Sequence, residues 1–175
     1  MSRAVTIQPK NTTKGNIPLL QPGDLVFIRG TEGLAGPIKK FTRSPYTHIA
    51  GLVLDGKLIE SQALRRTGYQ NLDTYRGVAD VYTCKTLSTD QRQQIVDFVK
   101  QEIGGRYDYI LFGWLAFRSL LGGAIPSYFG SKRQICTTLW ANAYKQAGVE
   151  LCPETPYPTP GELSNSKLLQ RVGSF

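Results

Sequence analysis

The sequence predicts an α+β fold in which an antiparallel sheet or a small barrel packs against helices, with a cysteine at the amino end of one helix. Apolar segments bounded by turn residues, typical of strands, occupy much of the first half of the chain. Two segments with helical spacing follow, and one of them, SKRQICTTLWANAYKQAG, contains Cys136 near its start. We expect one domain over residues 19–175 after an arm at residues 1–18, because 175 residues suffice for one core.

The composition is that of a folded protein without a disulfide framework. With 41% hydrophobic and 19% charged residues, the chain resembles ordinary globular domains and differs from disordered ones. The cysteines are three in number, Cys84, Cys136 and Cys152, and they lack paired spacing. Together with the single histidine, this pattern also argues against a zinc site.

The net charge of +8 is spread along the chain and forms no long basic run. The sequence therefore predicts no specific nucleic-acid site. A solvated basic surface and attraction to an anionic cell-wall or membrane surface both remain open. The first twenty residues lack the apolar core of a secretory signal, so we expect a cytoplasmic protein or one that leaves by another route, such as a phage or a secretion machine.

The first strand is predicted at Leu25–Ile28, after a QPGD turn at residues 21–24. A loop rich in glycine, proline and threonine follows, with a short helix expected near residues 38–41. This loop leads to His48, the only histidine of the chain.

A β-hairpin is predicted from HIAGLVL and KLIESQAL, which flank Asp55-Gly56. The turn allows two registers. A two-residue loop pairs Leu54 with Lys57, and strand alternation then puts His48 and Glu60 on opposite faces.

A three-residue loop with Gly56 in the left-handed conformation instead pairs Val53 with Lys57 and Ala50 with Glu60. His48 and Glu60 then share a face, one diagonal step apart. We predict this second register, because the chemistry described below requires the two side chains to meet.

Beyond the hairpin we expect a loop at residues 65–68 and a strand at residues 79–84. Ser88 opens a capping-box pattern for a helix closed by Gly104-Gly105. The apolar residues Ile95, Val99 and Ile103 are predicted to share one face of that helix.

The apolar segment from Ile110 to Phe129 carries one charge, Arg118. It is interpreted as a helix buried in the core, as the lining of an apolar pocket, or as a membrane-surface contact. Beyond the cysteine helix, PETPYPTP predicts an extended stretch, and GELSNSKLLQRVG predicts a short helix or strand.

Three side chains suit a thiol hydrolase. Cys136, at a helix start, lies near unpaired N–H groups and the positive end of the helix dipole, which favour a thiolate. His48 is the available imidazole for proton transfer, and Glu60, in an apolar strand, is suited to orient that ring. Taken singly, each also has a structural interpretation: Cys136 as a small buried hydrophobe, His48 as a hydrogen-bonded core residue and Glu60 as a solvated edge residue.

Several segments together resemble the NlpC-type branch of the papain-like cysteine hydrolases. These are PGDLVFI, THIAGLVL with Glu60 twelve residues after His48, GGRYDY, and ICTTLWANAYKQAG. The cysteine helix follows the GDLV strand here, whereas it precedes that strand in the common arrangement. This order resembles the circularly permuted, YiiX-like group, over residues 20–172.

The resemblance implies a papain-like, permuted fold with Cys136 as nucleophile, His48 as general base and acid, and Glu60 as the orienting residue. It also implies that Tyr107, in GGRYDY, lies beside the thiol and supports the oxyanion. The leading hypothesis is a hydrolase that cleaves an amide or acyl bond of a cell-wall peptide or an N-acyl or lipid substrate through a thioester, without metal or organic cofactor. The alternative is a non-catalytic binding or assembly module that keeps the fold, for example in a phage or secretion particle.

Overall fold

The computed structural model describes residues 20–30, 44–63, 65–121 and 133–175, except for the side chains of residues 119–121. The predicted arm at residues 1–18, the short helix near residues 38–41 and the end of the apolar segment at residues 122–129 lie outside the described residues. Among those described, the strands are β1 (Leu25–Ile28), β2 (His48–Leu54), β3 (Lys57–Glu60), β4 (Gly68–Asn71), β5 (Ala79–Thr83) and β6 (Gln170–Ser174). The helices are α1 (Thr89–Gln101), α2 (Tyr109–Leu121), α3 (Cys136–Gln146) and α4 (Pro160–Ser164), with a 3₁₀ turn at Leu72–Tyr75.

The six strands form one open sheet in the order β4-β3-β2-β1-β5-β6, with every neighbouring pair antiparallel. This confirms the predicted α+β class and antiparallel sheet. β1 is as predicted, β5 ends one residue earlier than expected, and β3 is shorter than the predicted KLIESQAL segment. The edge strand β4 was not predicted, because its residues GYQN alternate between intermediate and exposed positions and carry no apolar pattern.

The hairpin combines parts of both predicted registers. Leu54 pairs with Lys57 across a two-residue turn, so the predicted pairing of Val53 with Lys57 is wrong. A bulge between Leu52 and Leu54 then shifts the ladder by one residue, and the inner pairs Leu52–Leu58 and Gly51–Ile59 follow the predicted register. The shift arises inside β2 rather than in the turn, where Gly56 has the predicted positive φ of 65°.

Helix α1 begins as predicted with a capping box, in which Ser88 Oγ accepts from Gln91 N at 3.2 Å and Gln91 Oε1 accepts from Ser88 N at 3.0 Å. Ile95 and Val99 are buried, as expected. The prediction for Ile103 is wrong: the helix ends at Gln101, and Ile103 lies beyond it with 40% of its surface exposed. Ile103 follows the C-cap residue Glu102 and lies in the turn that leads to Gly104, where φ is 86°.

The two faces of the sheet bury different clusters. One face packs Ile49 and Ile59 against α1 and α3, where Trp140 and Tyr144 are fully buried. The other face packs Ala50, Leu52 and Leu58 against the 3₁₀ turn, which contributes Leu72 and Tyr75. The helical spacing predicted for SKRQICTTLWANAYKQAG is confirmed, and its apolar side chains face the core: Leu139, Trp140, Ala143, Tyr144 and Ala147 are all buried.

Helix α2 is neither fully buried nor fully exposed. Leu111 and Leu115 are buried in a small cluster with Tyr107 and Ile135, whereas Ile110 is 68% exposed. The described part of the chain contains no helix with the length and apolar character needed to cross a membrane. The segment GELSNSKLLQRVG was predicted to form a short helix or a strand. It contributes to both, since it contains most of α4 and most of β6.

Candidate active site

His48 and Glu60 meet at one end of the central hairpin. His48 is the first residue of β2 and Glu60 is the last residue of β3, so the antiparallel pairing brings them to the same end. His48 Nε2 lies 2.9 Å from Glu60 Oε2. Their side chains are only 16% and 6% exposed, so water has little access to the contact. The predicted meeting of these residues is therefore present in the structure.

Helix α3 begins at Cys136 and packs on the face of the sheet that carries Ile49 and Ile59. Trp140, one turn further along, lies against Gly51 of β2, and its indole Nε1 donates to the Ile59 carbonyl oxygen at 3.2 Å. A Cβ atom at Gly51 would come within 2.4 Å of the indole. Glycine at this position therefore lets α3 pack closely on the hairpin that carries His48 and Glu60.

The backbone just before α3 is held by Gln134. Its carbonyl oxygen accepts from Ser61 Oγ at 3.1 Å and from the Asp108 backbone N–H at 3.2 Å. Ser61 follows directly after Glu60, and Asp108 follows Tyr107, which forms an isolated parallel bridge with Gln134. Gln134 thus ties the end of β3 and the start of α2 to the segment that leads into Cys136.

Cys136 lies close enough to His48 to change the pKa of its imidazole. Burial alone would lower the pKa of His48, but the Cys136 thiolate, followed by the Glu60 carboxylate, raises it from 6.5 to about 10. Because His48 Nε2 is hydrogen-bonded to Glu60, Nδ1 is the ring nitrogen available to exchange a proton with the Cys136 thiol. A protonated histidine beside a cysteine is the arrangement that activates a cysteine nucleophile.

Glu60 is kept ionised despite its burial. Burial raises the pKa of its carboxyl group, yet the hydrogen bond and charge of His48, the Tyr75 hydroxyl and the charge of Arg65 together lower it below 4.5. Tyr75 Oη donates to Glu60 Oε2, the oxygen that also faces His48. Burial and the Glu60 hydrogen bond raise the pKa of Tyr75, which keeps its phenol protonated as a donor.

Tyr107 lies in the electrostatic field of Cys136. Its side chain is buried, and burial, followed by electrostatic interactions with Cys136, Tyr109 and Asp108, raises its pKa above the usual range. A tyrosine in this environment stays protonated and can donate a hydrogen bond. The structure therefore brings the four residues predicted for the site, Cys136, His48, Glu60 and Tyr107, into one region.

Three supporting residues were missed by the sequence reasoning. Tyr75 lies in a 3₁₀ turn that has no distinctive pattern, so its contact with Glu60 could not be predicted. Ser61 and Gln134 act through a side-chain hydroxyl and a backbone carbonyl, which leave little signal in composition or spacing. The adjacency of Ser61 to Glu60 is the one available hint, since a polar residue continues a buried strand there.

One of the solved structures with a similar fold is the metalloprotein YiiX from Escherichia coli O157:H7, DUF1105. It shares 19% sequence identity, with a TM-score of 0.67, and the match covers 89% of this chain and 98% of that chain. No protein-family model and no curated protein matches the sequence. At this level of identity the likeness establishes a common fold, so the chain has a YiiX-like fold.

The solved structure with the similar fold is described as a metalloprotein. Within the ranges that the structure describes, no group of three or more histidine, cysteine, aspartate and glutamate side chains is arranged to hold a metal ion. The described residues thus do not fit a metal centre.

Proposed function

We propose that this protein is a cysteine hydrolase that cleaves an amide or acyl bond through a thioester on Cys136. The observation that carries the proposal is the convergence of Cys136, His48 and Glu60 from three elements at one end of the hairpin. These three residues, called the relay below, supply a nucleophile, a proton carrier and an orienting carboxylate. The proposal also includes the permuted, NlpC-type relationship, which is supported by the order of the sequence segments and by the YiiX-like fold.

In the first half-reaction, the Cys136 thiolate attacks the substrate carbonyl carbon and forms a C–S bond. The resulting oxyanion is held by the Cys136 backbone N–H, which has no partner within the helix, and by the Tyr107 hydroxyl. When this intermediate collapses, the C–N or C–O bond to the leaving group breaks. The His48 imidazolium gives its proton to the leaving group and becomes neutral.

In the second half-reaction, a water molecule attacks the thioester carbon while neutral His48 accepts a proton from that water. The C–S bond breaks, the acid product leaves, and Cys136 and His48 return to the thiolate–imidazolium pair. Glu60 keeps His48 in the required orientation and stabilises its protonated form throughout.

The proposed substrates are cell-wall peptides and N-acyl or lipid compounds. A wall substrate requires a route to the wall, and a phage lysis system or a secretion machine would provide one. For a substrate inside the cell no such route is needed.

Trapping of the acyl-enzyme tests the mechanism. Intact-mass spectrometry after incubation with peptidoglycan fragments or acyl lipids should detect an adduct on Cys136. The Cys136→Ala variant should lose the adduct and all measurable turnover, while His48→Gln should slow its formation by about a thousandfold. The matched control is Cys152→Ala, a partly exposed cysteine outside the relay, which should keep wild-type turnover. Turnover by Cys136→Ala would contradict the mechanism.

A second candidate function is a non-catalytic binding or assembly module. It is favoured by the net charge of +8 and by the exposed apolar side chains Ile110 and Phe117 of α2. In that case alkylation of Cys136 should be no faster than that of a free thiol, and no substrate adduct should form.

A further inference from the structure

A cleft beside the candidate active site is lined by arginines. It has a volume of about 310 Å³, and its described lining consists of basic and aromatic side chains without a carboxylate: Arg65, Arg66, Arg106, Tyr107, Tyr109 and Arg133. The four guanidinium groups make the electrostatic potential of this cleft positive, which attracts anions. The cleft therefore has the composition of an anion-binding site.

The cleft adjoins the reacting groups. Tyr107 lines the cleft and also responds to the charge of Cys136. Arg65 lines it too, and its charge lowers the pKa of Glu60. Arg133 precedes Cys136 by three residues. A ligand in this cleft thus lies against Tyr107 and Arg65, two residues that interact electrostatically with Cys136 and Glu60.

The number of arginines favours phosphate over a single carboxylate. One carboxylate is matched by one or two guanidinium forks, whereas a phosphate offers more oxygens and, as a monoester, up to two negative charges. Arg66 Nη1 also donates to the Gly104 carbonyl oxygen at 2.9 Å, which fixes this arginine at the end of the loop after α1. Part of the cleft is therefore preformed.

The helix that starts at the cleft carries exposed apolar side chains. Tyr109, the first residue of α2, lines the cleft and is 51% exposed. Ile110 is 68% exposed and Phe117 is 50% exposed, and their spacing of seven residues puts them on one side of the helix. A basic cleft next to such a surface is complementary to a molecule with an anionic head and an apolar chain.

We propose that this cleft binds the phosphate group of an acyl lipid and presents the acyl carbonyl of that lipid to Cys136. This inference rests on the proposed hydrolase function and selects the lipid from its substrate classes. The exposed apolar residues of α2 contact the acyl chains or the membrane surface from which the lipid is drawn.

Binding is measured with the full chain carrying Cys136→Ala, so that catalysis plays no part. Sedimentation is performed with vesicles of phosphatidylcholine alone, of phosphatidylcholine with phosphatidic acid, and of phosphatidylcholine with enough oleate to match the negative charge. We expect binding to phosphatidic acid vesicles to be about tenfold tighter than to oleate vesicles, because phosphate engages more guanidinium groups. Glycerol phosphate should compete with the vesicles, whereas inorganic phosphate at the same concentration should compete less.

Charge variants locate the site. Arg106→Gln should weaken binding to phosphatidic acid vesicles by about tenfold, and Arg106→Lys should weaken it less because the charge is kept. The matched control is Lys167→Gln, which removes one positive charge from an exposed residue outside the cleft lining and should change binding by less than about twofold. Circular dichroism confirms that each variant is folded.

Three outcomes would overturn the assignment: equal binding to oleate and phosphatidic acid vesicles, equal weakening by Lys167→Gln and Arg106→Gln, or binding of an acidic peptide in place of the vesicles. An acyl adduct on wild-type Cys136 without phosphate-selective binding would refute the cleft assignment alone. Phosphate-selective binding without an adduct or turnover would refute the hydrolase function instead.

Discussion

The pKa of His48 depends strongly on the residues around its imidazole ring. Its buried position disfavours the imidazolium form, yet the contacts with Cys136 and Glu60 outweigh burial and raise its pKa to about 10. A folded-state pKa above 6.5 means that the stabilisation from this protonated ring is complete below pH 6.5 and is lost as the pH rises through about 10.

The single histidine makes this pKa directly measurable. In NMR titrations the imidazole signal should stay in the protonated position well above pH 6.5. Cys136→Ala should lower the pKa of His48, because it removes the largest favourable contribution while burial remains. Cys152→Ala should leave the titration unchanged. An unchanged His48 pKa in Cys136→Ala would show that the thiolate does not stabilise the imidazolium.

In the proposed mechanism, Tyr75 positions Glu60 through a hydrogen bond. Tyr75→Phe removes the hydroxyl that donates to Glu60 Oε2, so the pKa of Glu60 should rise. Because a lowered carboxyl pKa protects the ionised form as the pH falls, the acid limb of the pH–rate profile should move to higher pH. The control is Tyr69→Phe on the edge strand, where the ring is 58% exposed and no shift is expected. A uniform loss of rate with an unchanged acid limb would indicate a structural role only.

The residues of the candidate site could be predicted because each has a residue type that is unusual at its position in the sequence. The only histidine, a carboxylate in an apolar strand and a cysteine at a helix start are visible in the sequence. Their supporting contacts were not predictable, because Gln134 acts through its backbone carbonyl and Tyr75 lies in an element without periodicity.

At the level of elements, the packing of α3 on β2 determines whether Cys136 meets His48. Trp140 fills the space that Gly51 leaves open, and it is fully buried. The helix therefore has one closely defined distance from the sheet, and any change in that distance moves the thiol at its amino end.

Gly51→Ala tests this packing. The added methyl group would collide with the Trp140 indole, so the free energy of unfolding should fall by about 1–3 kcal/mol, as measured by urea denaturation. The rate of acyl-adduct formation on Cys136 should fall as well, because α3 must shift. The control is Gly113→Ala, where a Cβ atom meets nothing within 4 Å and the better helix propensity should stabilise by about 0.5–1 kcal/mol. Normal stability of Gly51→Ala would show that the helix adjusts without cost.

Secondary structure could be predicted where it depends only on residues adjacent in the sequence. The capping box at Ser88 and the left-handed conformation of Gly56 depend on adjacent residues, and both are present, whereas the predicted three-residue loop is not. The bulge in β2 depends on how the hairpin packs on its two sides, and β4 depends on its pairing with β3. Such long-range pairing overrides local propensity and leaves little trace in the sequence.

At the level of the whole molecule, a buried carboxylate joins the edge strand β6 to segments beside the central strands of the described sheet. Asp80 of β5 accepts hydrogen bonds from Arg29 after β1, from Tyr46 before β2, and from Arg171 and Ser174 of β6. Although burial raises the pKa of Asp80, these four donors lower it well below its usual value. This network holds the last strand of the chain to the centre of the sheet.

Asp80→Asn should lower the free energy of unfolding at neutral pH by about 2 kcal/mol, since it removes the charge from hydrogen bonds to two arginines. The partial exposure of Arg29 and Arg171 limits the loss. The stabilisation from ionised Asp80 is present above pH 3.8 and is lost as the pH falls further toward its lowered pKa. The difference between variant and wild type in urea denaturation should therefore shrink below pH 3.8. A difference independent of pH would contradict this account.

The bulge in β2 means that one particular deletion would preserve the strand pairing, although it would remove the buried side chain of Val53 from the core. Because Leu54 already pairs with Lys57 and Leu52 with Leu58, the removal of Val53 would leave a regular ladder in which Glu60 still lies opposite Ala50. The spacing of twelve residues between His48 and Glu60 would shorten to eleven, yet both side chains would keep their shared face. The same site is therefore compatible with either spacing, and a search that fixes the spacing at twelve residues would not find the shorter form.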